Sequence, residues 1–189
     1  MHAAAPLGRL GWILVLGLLA VPAAFADSGF AVDSVETHLA EGVYRLDASV
    51  RIDLSRSVRR ALDNGVPITL EFRIRVLRPR DYLWDEEVAS LSQRFRIEYH
   101  ALSKRFVLTN VNTGAGQAFR TLEAALEPLQ RLQDFPLIDA TLLPPGARYV
   151  GELSVLLDSE SLPVPLRLQT WVNDAWRLSS DPYRWPLAP

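Results

Sequence analysis

Few side chains in this chain are of the types that carry out chemistry. There is no cysteine, so thiolate zinc sites, catalytic thiols and disulfides are all excluded. Beyond the apolar N-terminal run only His38 and His100 remain, at outward positions of two different strand patterns. A metal centre needs three or four converging ligands. Glu98 and His100 share a face, which makes at most a weak surface site, so no metal and no cofactor is expected. The chain has no G-x-S-x-G elbow, no H-E-x-x-H pair and no Walker loop. "TGAGQAF" (113–119) carries Gly114 and Gly116, but Phe119 replaces the third glycine of a dinucleotide loop and no βαβ unit surrounds it, so it reads as a turn or hairpin. Nothing singles out a serine as nucleophile, and the chain is not read as an enzyme.

Recognition chemistry is better represented. Residues 77–87, "LRPRDYLWDEE", bring Arg78, Arg80, Tyr82, Trp84 and Asp85 together with Glu86 and Glu87. Tryptophan, tyrosine and arginine are the residues enriched in interface hot spots, and the acids can pair with the arginines across a turn. The stretch therefore has two readings. Trp84 folds back as a plug over the end of the sheet, the outcome that tryptophan's tendency to burial favours, or the segment is an exposed recognition loop. Trp176, Arg184 and Trp185 repeat this composition near the C-terminus and join the candidate surface. That tail, with Trp171 and Tyr183, is expected to dock on the body as an ordered wrap, or else to hang loose.

The elements that must position these residues are mostly strands. Tyr44, Leu46, Ala48, Val50, Ile52 and Leu54 alternate with polar residues, the period of a strand with one wet face. Val35, Thr37 and Leu39 precede it across a Glu41-Gly42 turn, giving a hairpin. Ser55 caps a helix that buries Val58, Ala61 and Leu62 and stops at Gly65. Alternation then predicts strands at Ile68–Val76, Phe95–Tyr99, Lys104–Asn110, Tyr149–Leu157 and Leu166–Thr170. Thr121 starts a second helix through Leu122, Ala125, Leu126 and Leu129, which Pro128 should kink or restart. Leu137–Gly146 reads as a proline-bearing loop.

Arg9 followed by the apolar run Leu10–Val21 and Ala24-Phe25-Ala26 has the plan of a signal peptide, residues 1–26, cut between Ala26 and Asp27. The run is short for a membrane span, which needs about 20 residues, so membrane contact is expected only if this segment stays uncleaved. The remaining 27–189 suits one domain, large enough to fold on its core without staples. The net charge of −2 offers nothing to nucleic acid. About seven amphipathic strands and two short helices make the chain mainly β, an antiparallel β-sandwich; a single antiparallel sheet with helices on one face is the alternative.

"RPRDYLWDEEV", "RFRIEYHALSKRFVLTN", "TLEAALEPLQRL", "LPVPLRL" and "WRLSSDPYRWPL", in that order, resemble the bacterial family termed domain of unknown function 4390. The resemblance covers nearly the whole of residues 27–189. It implies an exported, periplasmic protein of Gram-negative bacteria, described in some members as a proline-rich signal-peptide protein. It also implies a gene neighbouring a membrane sensor histidine kinase, and it brings no activity and no catalytic residue. The expectation is therefore a periplasmic binding or adaptor domain acting on an envelope or membrane protein, such as a sensor kinase. An envelope hydrolase with an unrecognised site, or a sandwich that binds lipid or glycan between its sheets, are the alternatives.

Overall fold

The structure, a computed structural model, describes residues 29–187, with backbone alone over 169–172. The segment read as a signal peptide, the Ala26–Asp27 junction and the Trp171 side chain lie outside the described residues.

Strands β1 (Gly29–Ala40) and β2 (Val43–Asp53) form the expected hairpin, with Ala40 opposite Val43. Glu41 and Gly42 both take positive φ, which a two-residue hairpin turn requires. Helix α1 (Arg56–Asp63) starts at Ser55, whose hydroxyl accepts the Val58 N–H at 3.2 Å, and buries Val58, Ala61 and Leu62. The chain leaves it through Gly65 at φ +79°, as the glycine there predicts. Strands β3 (Ile68–Arg78), β4 (Glu86–His100), β5 (Arg105–Asn110) and β6 (Gly116–Phe119) follow as an antiparallel meander. "TGAGQAF" is thus half turn and half strand. Helix α2 (Leu122–Gln130) is capped by the Thr121 hydroxyl and buries the four apolar residues expected of it. Strand β8 (Tyr149–Leu157) lies next to β3, helix α3 spans Val164–Val172, and β9 (Tyr183–Leu187) pairs with β8.

The strands make two antiparallel sheets, ordered β1-β2-β7 and β6-β5-β4-β3-β8-β9, where β7 is Arg131–Asp139. The sandwich is therefore the architecture, and the single-sheet alternative is not. Leu46, Ile52, Phe72, Ile74 and Leu153 from the two inner faces join one core, filling the inter-sheet space that a lipid or glycan would need. Among the described residues no helix is long and apolar enough to cross a membrane.

Several expectations need correction. Leu166, Leu168 and Thr170 lie in α3, not in a strand. Three alternating positions are too few to fix a period, and Leu, Arg and Gln behind Pro165 in the first turn are good helix formers. The loop expected from Leu137 begins inside β7. Pro136 masked that strand, but β7 is a sheet edge, where a residue without an N–H is tolerated. Pro128 does not make α2 restart; the helix runs unbroken past it, ends two residues later and passes straight into β7. The C-terminal segment, by contrast, docks on the body as expected, burying Trp176 and Trp185 and closing in an edge strand.

Candidate functional site

The β3–β4 connection is held open by its own charges. Strand alternation sends Arg75 outward on β3, directly opposite Glu152 of β8, which is in turn opposite Arg184 of β9. Glu152 is only 3% exposed, an acid on the outer face of the sheet that two guanidinium groups cover. Arg75 donates to it through Nε at 3.0 Å and again through Nη2, and Arg184 donates through Nε at 2.8 Å. The arginines extend this row towards the connection, Arg184 reaching Asp85 at 3.5 Å and Arg75 reaching Glu87 at 3.9 Å. At the strand ends Arg78 and Arg80 converge on the Glu86 carboxylate, Arg80 at 2.6 Å. The arginine–acid pairing expected within 78–87 is present, and Arg75, Glu152 and Arg184 tie it into the sheet.

These contacts set the ionisation of both acids. Burial alone would raise the Glu152 carboxyl; the hydrogen bonds from Arg75 and Arg184 outweigh it and hold the group below its ordinary value. Glu86 is also lowered, chiefly by the Arg80 and then the Arg78 hydrogen bond.

From this braced base the tip of the connection projects into solvent. Tyr82 is 98% exposed, Trp84 91% and Leu83 65%. Trp84 is therefore not a plug. The aromatic that closes this end of the sheet is Trp185, buried over Gly151. Burying a large aromatic removes about 150–250 Å² from water at about 25 cal/mol per Å². Neither Tyr82 nor Trp84 realises that stabilisation within the chain, so both are available to another molecule. A groove of about 440 Å³ begins at Pro79, the first residue of the connection, and is lined by Ala147, Tyr149, Val150, Pro186 and Leu187.

The structure thus brings Arg78, Arg80, Tyr82, Trp84, Asp85 and Arg184 to one end of the larger sheet. It does not bring Trp176 or Trp185 to that surface. Trp185 points inward because strand alternation turns it away from Arg184. Trp176 is buried at the far side of the core, in a short 3₁₀ turn (Asp174–Trp176) beside α1. Sequence reasoning missed Arg75 and Glu152. Their signal was available: Glu152 is the one charge in "YVGELSVLL", and an acid within so apolar a strand needs a cation.

The histidines sit elsewhere. On the outer face of the small sheet His38 Nδ1 lies 3.5 Å from Asp47 and Nε2 lies 3.6 Å from Asp134, so both ring nitrogens face carboxylates. His100 is 3.8 Å from Glu98. That is not the arrangement of a hydrolytic triad, in which the second nitrogen must meet a nucleophile. Among the described residues no group of three His, Asp or Glu side chains is placed to hold a metal ion.

The chain matches a protein-family model described as Domain of unknown function (DUF4390) over residues 27–186. No curated protein and no solved structure matches it.

Proposed function

We propose a function for this chain from the premise that it belongs to the DUF4390 family: it is an exported binding or adaptor domain that grips an envelope or membrane protein through the β3–β4 connection. The observation that carries the reading is the pair of exposed aromatics, Tyr82 and Trp84, on a connection whose ends are pinned by Arg78, Arg80 and Arg184. Such pinning lowers the entropy lost when the tip is ordered on a partner, and tryptophan and tyrosine bring large contact area with few rotatable bonds. Asp81 and Asp85 flank the aromatics, which suits a partner with an apolar recess rimmed by basic groups. Export is supported by the composition of residues 1–26.

The test is site-specific photo-crosslinking in producing cells, with the probe at position 84 and, as control, at Glu41 in the β1–β2 turn. The expected result is a discrete protein adduct from position 84 that Glu41 does not give and that Arg80→Ala weakens. Identical adduct patterns from the two positions would overturn the reading.

A further inference from the structure

We infer that the end of the molecule built from α1 and α3 docks on a lipid bilayer carrying anionic headgroups, with the Tyr82–Trp84 tip held away from it. In α1 the burial of Val58, Ala61 and Leu62 leaves Arg56 and Arg60, one turn apart, on the outside. Both are exposed, and among the described residues neither makes a salt bridge. Arg59, by contrast, is held by the Leu54 carbonyl at 3.1 Å and by Glu123 at 3.3 Å. Arg56 opens the helix with no acid in its first turn, a placement that the helix dipole disfavours and a neighbouring anion would relieve. In α3 Leu166 packs on the core. Val164 and Leu168, one turn apart on the other side of that helix, are each 64% exposed. No acidic residue occurs in α3.

The two helices form one surface. They wall a shared pocket of about 300 Å³, lined by Arg60, Ala61 and Asn64 on one side and by Leu166, Asn173 and Trp176 on the other. The 3₁₀ turn that carries the buried Trp176 touches both helices. Ser55, the cap of α1, also donates its hydroxyl to the Ala175 carbonyl in that turn at 2.6 Å, which fixes the cationic strip against the apolar one. Such a pairing is what an interfacial surface presents. Its aliphatic side chains enter the boundary between headgroups and acyl chains, and its cations meet phosphate.

A bilayer is the occupant because of where the chain enters the body. Gly29 is the cross-strand partner of Asp53, which lies three residues before Arg56, so residues 1–28 join the body at the α1 end. The apolar run Leu10–Val21 belongs to that segment, and the seven residues between Val21 and Gly29 can span at most about 28 Å. A bilayer that takes up this run is therefore within reach of α1 and α3. The tip is at the other end of the larger sheet: β3 leads from Ile68, just after α1, to Arg78, roughly 33 Å at about 3.3 Å per residue. The net charge of −2 conceals the arrangement, being a sum over the whole chain. The inference does not rest on what the tip binds.

Because the chain has no cysteine, a single introduced thiol carries a fluorescent probe to a chosen place. The full chain labelled at Leu168→Cys, and separately at Tyr82→Cys, is mixed with vesicles whose acyl chains are brominated. One set of vesicles is phosphatidylcholine alone and the other also contains phosphatidylglycerol. The probe at 168 is expected to be quenched on the vesicles with phosphatidylglycerol and far less on the neutral ones, and the probe at 82 on neither. Combining Arg56→Gln with Arg60→Gln should lower the quenching at 168 by at least about twofold, as should high salt. Val164→Ser keeps both arginines and should lower it as well. An unquenched probe at 168, equal quenching at 82, equal quenching on neutral vesicles, or quenching that the two glutamines leave unchanged would each overturn the inference.

Discussion

Trp185 of β9 lies flat over Gly151 of β8, its direct cross-strand partner. A methyl group at Gly151 would come within 2.2 Å of Trp185 Cζ2, so the ring occupies the volume where a β-carbon would stand. The glycine is required here by the close approach of the indole and not by backbone conformation. Together the two residues close the inner side of the sheet at the end where the exposed Tyr82–Trp84 tip projects.

Gly151→Ala should therefore destabilise the fold by about 1–3 kcal/mol through overpacking. Trp185→Ala should destabilise it by about 3–5 kcal/mol by leaving a cavity. The two effects should not add. With the ring gone, alanine at 151 meets open space, and the double variant should be no less stable than Trp185→Ala alone. Urea denaturation of the four proteins measures the coupling, and strict additivity would show that the ring does not press on Gly151.

Removing the tip should have the opposite profile. Tyr82→Ala and Trp84→Ala delete side chains with almost no contacts inside the chain, so each should change stability by about 0.5 kcal/mol or less. Tyr82→Ala should still abolish the adduct captured by the probe at position 84, and Trp84→Ala the adduct captured by a probe moved to Leu83. A large drop in melting temperature for Trp84→Ala would mean that the tryptophan packs on the body after all.

The contrast between these two tryptophans marks what could be read from the amino-acid order. The alternation in β2, β3 and β8 and the caps at Ser55 and Thr121 were plain, because local chemistry and burial agree there. Trp84 and Trp185 have the same residue type in similar Arg-rich company, and only the partner strand decides which is covered. Gly151 supplies that decision from across the sheet, beyond any local window. β7 was hidden for a related reason: it is an edge strand interrupted by Pro136 and by Asp134 at φ +51°, so its period is broken where it meets β2. The Arg75–Glu152–Arg184 row needed the strand order β3-β8-β9, although the lone acid in β8 pointed to it.

Asp134 offers a test of how β7 is fastened. Its backbone is left-handed, its N–H donates to Asp47 at 2.7 Å, and its carboxylate takes Arg45 at 2.9 Å. Asp134→Ala loses the exposed ion pair, about 0–1 kcal/mol, and puts alanine at a left-handed position that aspartate tolerates better, so it should destabilise by about 1 kcal/mol. Asp134→Gly loses the same ion pair but relaxes the backbone, so it should be the more stable of the two. Thermal melts decide the order; the reverse order would show that the carboxylate and not the backbone sets the site.

Glu152 should make the larger sheet sensitive to acid. Its folded carboxyl is held below the ordinary value of 4.5 by Arg75 and Arg184 against the opposing effect of burial. The unfolded chain therefore binds this proton at a higher pH than the folded one does. The stability contributed by Glu152 is fully present above that ordinary value and is lost as pH falls through the depressed folded value. Glu152→Gln keeps the shape but loses the charge, which should destabilise the protein at neutral pH by about 1–3 kcal/mol, less if solvent screens the half-exposed arginines. The variant should also lose less stability than wild type on acidification, so the two curves converge at low pH. Parallel curves of stability against pH would mean that Glu152 is already protonated in the fold, and the arginine row would then have to be held by Asp85 and Glu87 instead.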